Sequence, residues 1–154
     1  MAKAQLKMPE EFLLKLSKLG NKTDEIIESC LEAGSEVVLA KVRSNLRAVI
    51  GSGTKYPSES TGELEASLGV TPAKVDRKGT HNVKIGFNEP RRKQYRAKGK
   101  RSYYAITNAM IANVIENGKH NQPARPFLKP ARTASRKAAI EAMKRRLDEE
   151  IGKI

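Results

Sequence analysis

The chain has 154 residues, the size of one compact domain, and its 30 Lys and Arg against 17 Asp and Glu give a formal net charge of +13. This excess predicts an acidic partner, either nucleic acid or an acidic protein surface. The single cysteine, Cys30, excludes a disulfide within the chain, and no apolar run is long enough for a membrane span or a signal peptide, so we expect a cytosolic protein without a membrane partner.

The first third of the chain predicts two helices. Pro9, the two acidic residues after it and a helical apolar spacing predict a short amphipathic helix within residues 1–20. Thr23 is a candidate N-cap for a second helix, in which apolar residues recur at helical spacing until Gly51. That helix would be roughly 40 Å long. Cys30 lies beside its apolar stripe, so we predict a buried structural thiol.

Residues 52–60 predict a flexible loop rich in glycine and hydroxyl side chains. The glycines at its start follow a helix and lack the spacing of a phosphate-binding loop, so they do not indicate nucleotide binding. Ser60 and Glu63 have the spacing of a capping box. One short helical turn is therefore predicted before Leu68.

Alternating apolar and polar residues after Leu68 predict an antiparallel hairpin. Its first strand reaches Val75 and is interrupted at Pro72, which favours a sheet edge or a bulge. A turn at residues 76–80 leads into a second strand, whose strict alternation runs through residues 83–87. The hairpin predicts a small antiparallel sheet.

A basic segment without any acidic residue follows the hairpin: Arg91, Arg92, Lys93, Arg96, Lys98, Lys100 and Arg101. Such a block repels itself and does not enter a core, so residues 90–102 are predicted to form a mobile basic loop. It is either a solvated loop or a contact to DNA or to an acidic partner. Tyr95, Tyr103 and Tyr104 either stack on bases or anchor the loop to the body.

The chain then predicts a helix from Tyr103 to Val114, although the β-branched residues near its end also allow a strand. Three closely spaced prolines follow and form a stiff corner, because proline fixes its own φ and keeps the preceding residue extended. We expect Phe127 and Leu128 to hold a last helix, residues 127–151, against the body. Its alanines allow close approach to the long helix at 23–51.

Together these elements predict an α+β fold in a single domain, residues 1–154. Long N-terminal and C-terminal helices would pack on a small antiparallel sheet, with extended loops between them. The sequence offers no catalytic, cofactor-binding or metal-binding motif, and we expect His81 and His120 to be surface or turn residues. Glu116 should have a structural role, accepting hydrogen bonds at Gly118 or pairing with Arg125, and we predict no enzyme.

Two motifs carry a resemblance to a known family. Glu116-x-Gly118, followed by Pro-Ala-Arg-Pro-Phe-Leu-x-Pro-Ala at 123–131, resembles the signature of the neck, or tail-completion, proteins of long-tailed bacteriophages, related to minor tail protein Z of lambdoid phages. Thr-Gly-x-Leu-x-x-Ser at 61–67 resembles the step between the family's long helix and its first strand. The motif residues are Thr61, Gly62, Leu64, Ser67, Glu116, Gly118, Pro123, Arg125, Pro126, Phe127, Leu128 and Pro130.

The resemblance implies a virion structural protein that joins the tail to the head. Its members form rings, so it implies a homo-oligomer, a hexameric ring between the head connector or stopper and the tail terminator or tail tube. The protein would be assembled in the host cytoplasm, and the basic loop at 90–102 would contact DNA phosphates without sequence preference. The alternative, from charge alone, is a small basic protein that binds nucleic acid nonspecifically, although no known nucleic-acid-binding motif is visible.

Overall fold

The computed structural model describes residues 4–7, 9–11, 13, 20–53, 60–89, 94–95 and 104–153. Two long helices pack on a small antiparallel sheet, which confirms the predicted α+β fold. The helices are α1 (Thr23–Val49), α2 (Glu63–Ala66), α3 (Asn108–Asn117) and α4 (Leu128–Ile151). The strands are β1 (Ala4–Lys7), β2 (Leu68–Val70), β3 (Lys74–Val75), β4 (His81–Phe87), β5 (Gln94–Tyr95) and β6 (Tyr104–Ala105).

The long helix α1 has 27 residues, as its apolar spacing predicts. Its buried face repeats every three or four residues and includes Ile27, Leu31, Val38, Val42 and Leu46. Thr23 is not its N-cap, which corrects the prediction: Lys22 holds that position, and the Thr23 hydroxyl donates a hydrogen bond to the carbonyl of Gly20 at 2.6 Å.

Helix α4 packs along α1 in the opposite direction. Asn45, late in α1, donates to the carbonyl of Phe127 just before α4, whereas Ser29, early in α1, accepts from Arg146 late in α4. Small residues line the contact, as predicted: Gly34 and Ser35 on α1, and Ala131, Ser135, Ala139 and Ala142 on α4. A Cβ on Gly34 would overlap the side chain of Met143, so a larger residue there would force the buried Met143 side chain to move.

The sheet confirms the predicted hairpin and its interruption. Strand β4 is central, with β1 on one side and β2 and β3 on the other. Between the pairs Val70–Ile85 and Lys74–Asn82, residues 71–73 oppose only two residues of β4, which makes a β-bulge around Pro72. Strand β1 was not predicted, because only four residues alternate there.

The hydrophobic core lies between the helix pair and the sheet. Val42 and Leu46 of α1 meet Ile85 of β4 and Phe127 at the start of α4, all with no exposed surface. Phe87 packs on Phe127 edge to face, with ring centroids 6.1 Å apart. A second cluster, around Leu31 and Met143, fills the other half of the helix pair.

Two predicted elements differ from the structure. The helix expected from Tyr103 begins at Asn108, because Thr107 accepts the N–H of Met110 at 3.1 Å and so caps it there. Met110, whose spacing from Tyr103, Ile106 and Val114 predicts a place on the apolar face of this helix, is 53% exposed. The segment predicted as a basic loop contains a short strand, since β5 pairs antiparallel with β6 and places Tyr95 opposite Tyr104.

Other predictions lie partly outside the described residues. Glu10, Glu11 and Leu13 are helical, and the rest of the helix predicted within residues 1–20 is not described. The same holds for residues 54–59 of the predicted flexible loop and for all seven cations of the basic segment.

Candidate functional site

The candidate site is the segment from Glu116 to Ala131, which we call the corner. It begins where α3 ends and the chain reverses at Gly118, whose φ is +75°. A Cβ on Gly118 would lie 2.7 Å from the backbone nitrogen of Ala124 and 2.8 Å from the carbonyl oxygen of Gln122. Only glycine fits this position without displacing the returning chain.

The Glu116 carboxylate caps the N-terminus of α4. Its side chain is 5% exposed, and it accepts the N–H groups of Phe127 at 2.7 Å, Leu128 at 2.9 Å and Lys129 at 2.9 Å. These are N–H groups that a helix cannot satisfy internally, and a carboxylate there also complements the helix dipole. The role is structural, but the predicted partners were wrong, because the Gly118 N–H bonds the carbonyl of Val114.

Arg125 binds the C-terminus of a helix, whereas Glu116 binds an N-terminus. Its Nη1 donates to the carbonyls of Val49 at 3.0 Å and Ser52 at 2.8 Å, at the C-terminus of α1. Its backbone N–H donates to the carbonyl of Ile115 in α3 at 2.8 Å. A cation is favourable there because the last carbonyls of a helix lack internal partners and carry partial negative charge. Arg125 therefore ties α1 and α3 to the corner.

The aromatic residue of the corner is an anchor, as predicted. Phe127 has no exposed surface and Leu128 only 5%, and Asn45 of α1 donates to the Phe127 carbonyl at 3.2 Å. Pro126 precedes the helix, and Pro130 lies in its first turn, where proline removes no intrahelical hydrogen bond. The corner thus connects both long helices through backbone and side chains together.

The second motif forms the step from α1 to the sheet. Gly62, with φ +75°, precedes the short helix α2, so it holds the position that the capping-box prediction gave to Ser60. Leu64 is buried, and the Ser67 hydroxyl donates to its carbonyl at 2.7 Å. The Ser67 carbonyl in turn accepts the N–H of Asn88, which joins the step to the end of β4. Thr61 is exposed.

Cys30 is buried, as its position beside the α1 stripe predicts. It has no exposed surface, and burial raises the pKa of its thiol from 9.0 to about 11, with Glu150 adding to the rise and Arg146 opposing it. A thiol with so high a pKa is neutral at physiological pH, so it is a poor nucleophile and a poor metal ligand.

The two histidines have different surroundings. His120 is exposed in a turn, as predicted. His81 begins β4 with a side chain only 11% exposed, so its prediction as a surface or turn residue was wrong. Its Nε2 lies 3.3 Å from a carboxylate oxygen of Asp24 on α1. Within the described residues, no three His, Cys, Asp or Glu side chains lie close enough to hold a metal ion.

Sequence reasoning missed several residues that position the corner. Asn45 was not singled out, although it bonds the corner across 82 residues of sequence, and α3 is held by Glu89, which accepts the N–H of Ala109 at 2.8 Å. The buried Asn108 donates to the carbonyl of Asn88 at 2.8 Å. Only Thr107 had a usable signal, since a threonine before an apolar run is a typical N-cap.

The comparisons with known proteins give one family. Residues 10–118, more than two thirds of the chain, match the model of the family described as "Bacteriophage HK97-gp10, putative tail-component". The match contains the step motif at 61–67 together with Glu116 and Gly118, and it ends before Pro123. A search of curated proteins and a search of solved structures give no match.

A match of this extent defines a class of protein, the structural components of bacteriophage tails, which have their place in the virion. Within that class, the chain belongs to the bacteriophage HK97-gp10 family. This confirms the resemblance that the two motifs carry. In the described part of the chain, no helix is both long and apolar enough to cross a membrane.

Proposed function

We propose that the protein is a tail-completion subunit of the phage neck. It assembles as a homo-oligomeric ring, with six subunits, and joins the head connector or stopper to the tail terminator or tail tube. The observation that carries this proposal is the match of residues 10–118 to a family of tail components. Tail and connector parts work by shape and contact rather than by catalysis, so we propose no enzymatic role.

The corner supports the proposal because a ring subunit needs a fixed relation between its long helices. Glu116 caps the start of α4, Arg125 caps the end of α1, and Phe127 is buried between the helices and the sheet. We propose that the residues of both motifs form this frame and take no part in chemistry. A rigid subunit presents the same surfaces to each neighbour, as a closed ring requires.

We propose further that the protein is assembled in the host cytoplasm and that its basic segment at 91–101 faces DNA in the neck. Seven cations without an acidic residue would contact phosphates, and such contacts carry no sequence information. As an alternative to DNA, the basic segment at 91–101 would bind an acidic surface of a head or tail partner.

The test is a phage in which the gene is inactivated. Electron microscopy of the lysate should show DNA-filled heads and tails that fail to join, and supplying the wild-type protein in trans should restore joined particles. Tails that have received the supplied protein should carry a sixfold ring at the end that binds the head. Joined, infectious particles in normal numbers without the protein would contradict the proposal.

The basic segment favours a second candidate, a sequence-nonspecific nucleic-acid-binding protein. The isolated protein should then bind DNA of any sequence, with an affinity that falls steeply with salt. Replacing the seven cations with Gln should abolish this binding. A phage that carries the neutralised protein distinguishes the two candidates. If the protein only binds DNA, heads and tails should still join in that phage.

A further inference from the structure

The packed pair of α1 and α4 has an acidic stretch at one end and two basic stretches at the other. Residues 23–36 of α1 contain five acidic and no basic side chains. Residues 37–49 of α1 and 128–140 of α4 together contain seven basic and no acidic side chains. Because α4 runs antiparallel to α1, these two basic stretches lie at the same end, and the acidic stretch of α1 lies at the other.

Each charge set forms a stripe of exposed side chains. The acidic face consists of Glu25, Glu28, Glu32 and Glu36, spaced three or four residues apart on α1. The basic face consists of Lys129, Arg132, Arg136 and Lys137 on α4, the first three with the same spacing. The stripes cover about 16 Å and about 12 Å of helix axis, so the basic face is about three quarters as long as the acidic face.

The two faces are separate from the ion pairs that the described residues form. The ion pairs of the described residues join Arg47 to Glu65, Asp24 to His81, Arg146 to Glu149 and Glu150, and Lys153 to Glu150. None of them includes a residue of either face. The hydrogen bond between Ser29 and Arg146 sets the acidic face beside the C-terminal half of α4, and the bond between Asn45 and Phe127 sets the basic face beside the C-terminal half of α1. The faces are therefore offset along the pair.

We propose that the acidic face of one copy docks on the basic face of the next. The occupant is a second copy of this chain because the same molecule carries both faces, with four exposed charges of opposite sign on each of its two long helices. Contact between two different faces is heterologous, and repetition of such a contact closes into a ring or extends as a filament. The inference deepens the proposed ring and rests on it for closure.

Exposed charges mainly select partner and register, and their effect is screened by salt. The docking should therefore be weakened by ionic strength and abolished when like charges face each other. DNA would contact only basic side chains, because the acidic face repels phosphate. Self-association needs the acidic face as well, whereas DNA binding does not.

The experiment uses two charge-swap variants of the full chain. The acid swap changes the four acidic-face residues to Lys, and the base swap changes the four basic-face residues to Glu. A matched control changes four exposed cations of the β3–β4 hairpin and its turn, Lys74, Arg77, Lys78 and Lys84, to Glu, which gives the same net charge as the base swap. Circular dichroism and thermal unfolding verify that each variant folds.

Sedimentation velocity at low ionic strength measures self-association. We expect each swap alone to associate at least about 100-fold more weakly than wild type, because like charges then face each other, whereas the control associates as wild type does. An equimolar mixture of the two swaps should associate again, since each variant restores an attractive contact with the other. Those assemblies should alternate and contain even numbers of subunits.

Three outcomes overturn the proposal. They are a wild-type chain that stays monomeric, swaps that associate like wild type, and a mixture that fails to recover. If the base swap loses only DNA binding, the basic face serves nucleic acid and the proposal is likewise wrong. Supplying each swap to the inactivated phage separates this inference from the proposed function: swaps that still join heads to tails refute the interface but leave the neck role intact.

Discussion

The two ends of the α1–α4 pair both contain buried apolar residues but differ in their polar contacts. At the corner, buried Glu116 and half-buried Arg125 bind the backbone groups of helix ends, and Phe127 fills the core. At the other end, Arg146 donates to Ser29 and forms exposed ion pairs with Glu149 and Glu150. Charge stabilises strongly where it is buried and meets several fixed partners, and weakly where solvent and mobile side chains compete. The polar contacts of the corner should therefore contribute more to stability than those of the other end.

The largest expected effect is that of Phe127→Ala. The ring has no exposed surface, so its removal leaves a cavity and should lower the free energy of unfolding by about 3–5 kcal/mol. Denaturant-induced unfolding followed by circular dichroism measures the loss. A loss below about 1 kcal/mol would show that the ring is not an anchor.

Replacement of Glu116 comes second. Glu116→Ala leaves the N–H groups of Phe127 and Leu128 without their acceptor and should lower the free energy of unfolding by about 2–4 kcal/mol. Glu116→Gln keeps an acceptor oxygen but loses the charge, so it should cause a smaller loss. Equal losses for the two variants would mean that the cap does not act through hydrogen bonds.

Gly118→Ala follows, with an expected loss of about 1–3 kcal/mol, because a Cβ there meets the backbone of Ala124 and strains a positive φ. Gly62→Ala is the matched control. Gly62 has the same φ of +75° but nothing within 4 Å of an added Cβ, so it reports the strain without the clash. Unfolding free energies that are equal in the two variants would contradict the close approach at the corner.

Cys30 should make the free energy of unfolding depend on pH in the alkaline range. Burial raises the pKa of its thiol from 9.0 to about 11, so between these values the unfolded chain loses a proton that the folded chain keeps. The stabilising contribution is full below pH 9 and falls as pH rises, with a slope of up to about 1.4 kcal/mol per pH unit. Cys30→Ala should flatten the stability curve in this range, and an unchanged slope would show that the thiol is not buried in solution.

The smallest effect belongs to the opposite end of the pair. Arg146 is 40% exposed, so Arg146→Ala should lower the free energy of unfolding by less than about 1 kcal/mol. The same measurement as for Glu116→Ala makes the comparison direct. A loss as large as that of Glu116→Ala would remove the distinction between the two ends.

The helices and strands that depend on the spacing of apolar residues and prolines within one segment could be predicted from the sequence. The apolar repeat of α1 sets its 27 residues, the alternation of β4 sets the hairpin, and Pro72 marks the bulge. The proline spacing and Phe127 also indicated the buried corner. In each case the signal lies within one segment of chain.

Contacts between distant segments could not be predicted. Arg125 meets Val49 across 76 residues and Asn45 meets Phe127 across 82, so no local pattern records either pair. For the same reason the role of Glu116 was predicted but its partners were not. Strand β1 is ordered by pairing with β4, which four residues alone do not reveal.

The corner also controls the proposed assembly, because it sets the direction of α4 and with it the place of the basic face relative to the acidic face. Amide hydrogen exchange measured by NMR tests it most directly. First-turn amides of a helix usually exchange quickly, since they lack intrahelical acceptors. We predict that the amides of Phe127, Leu128 and Lys129 exchange slowly in the wild-type protein and quickly in Glu116→Ala. Rapid exchange of these three amides in the wild-type protein would contradict the account.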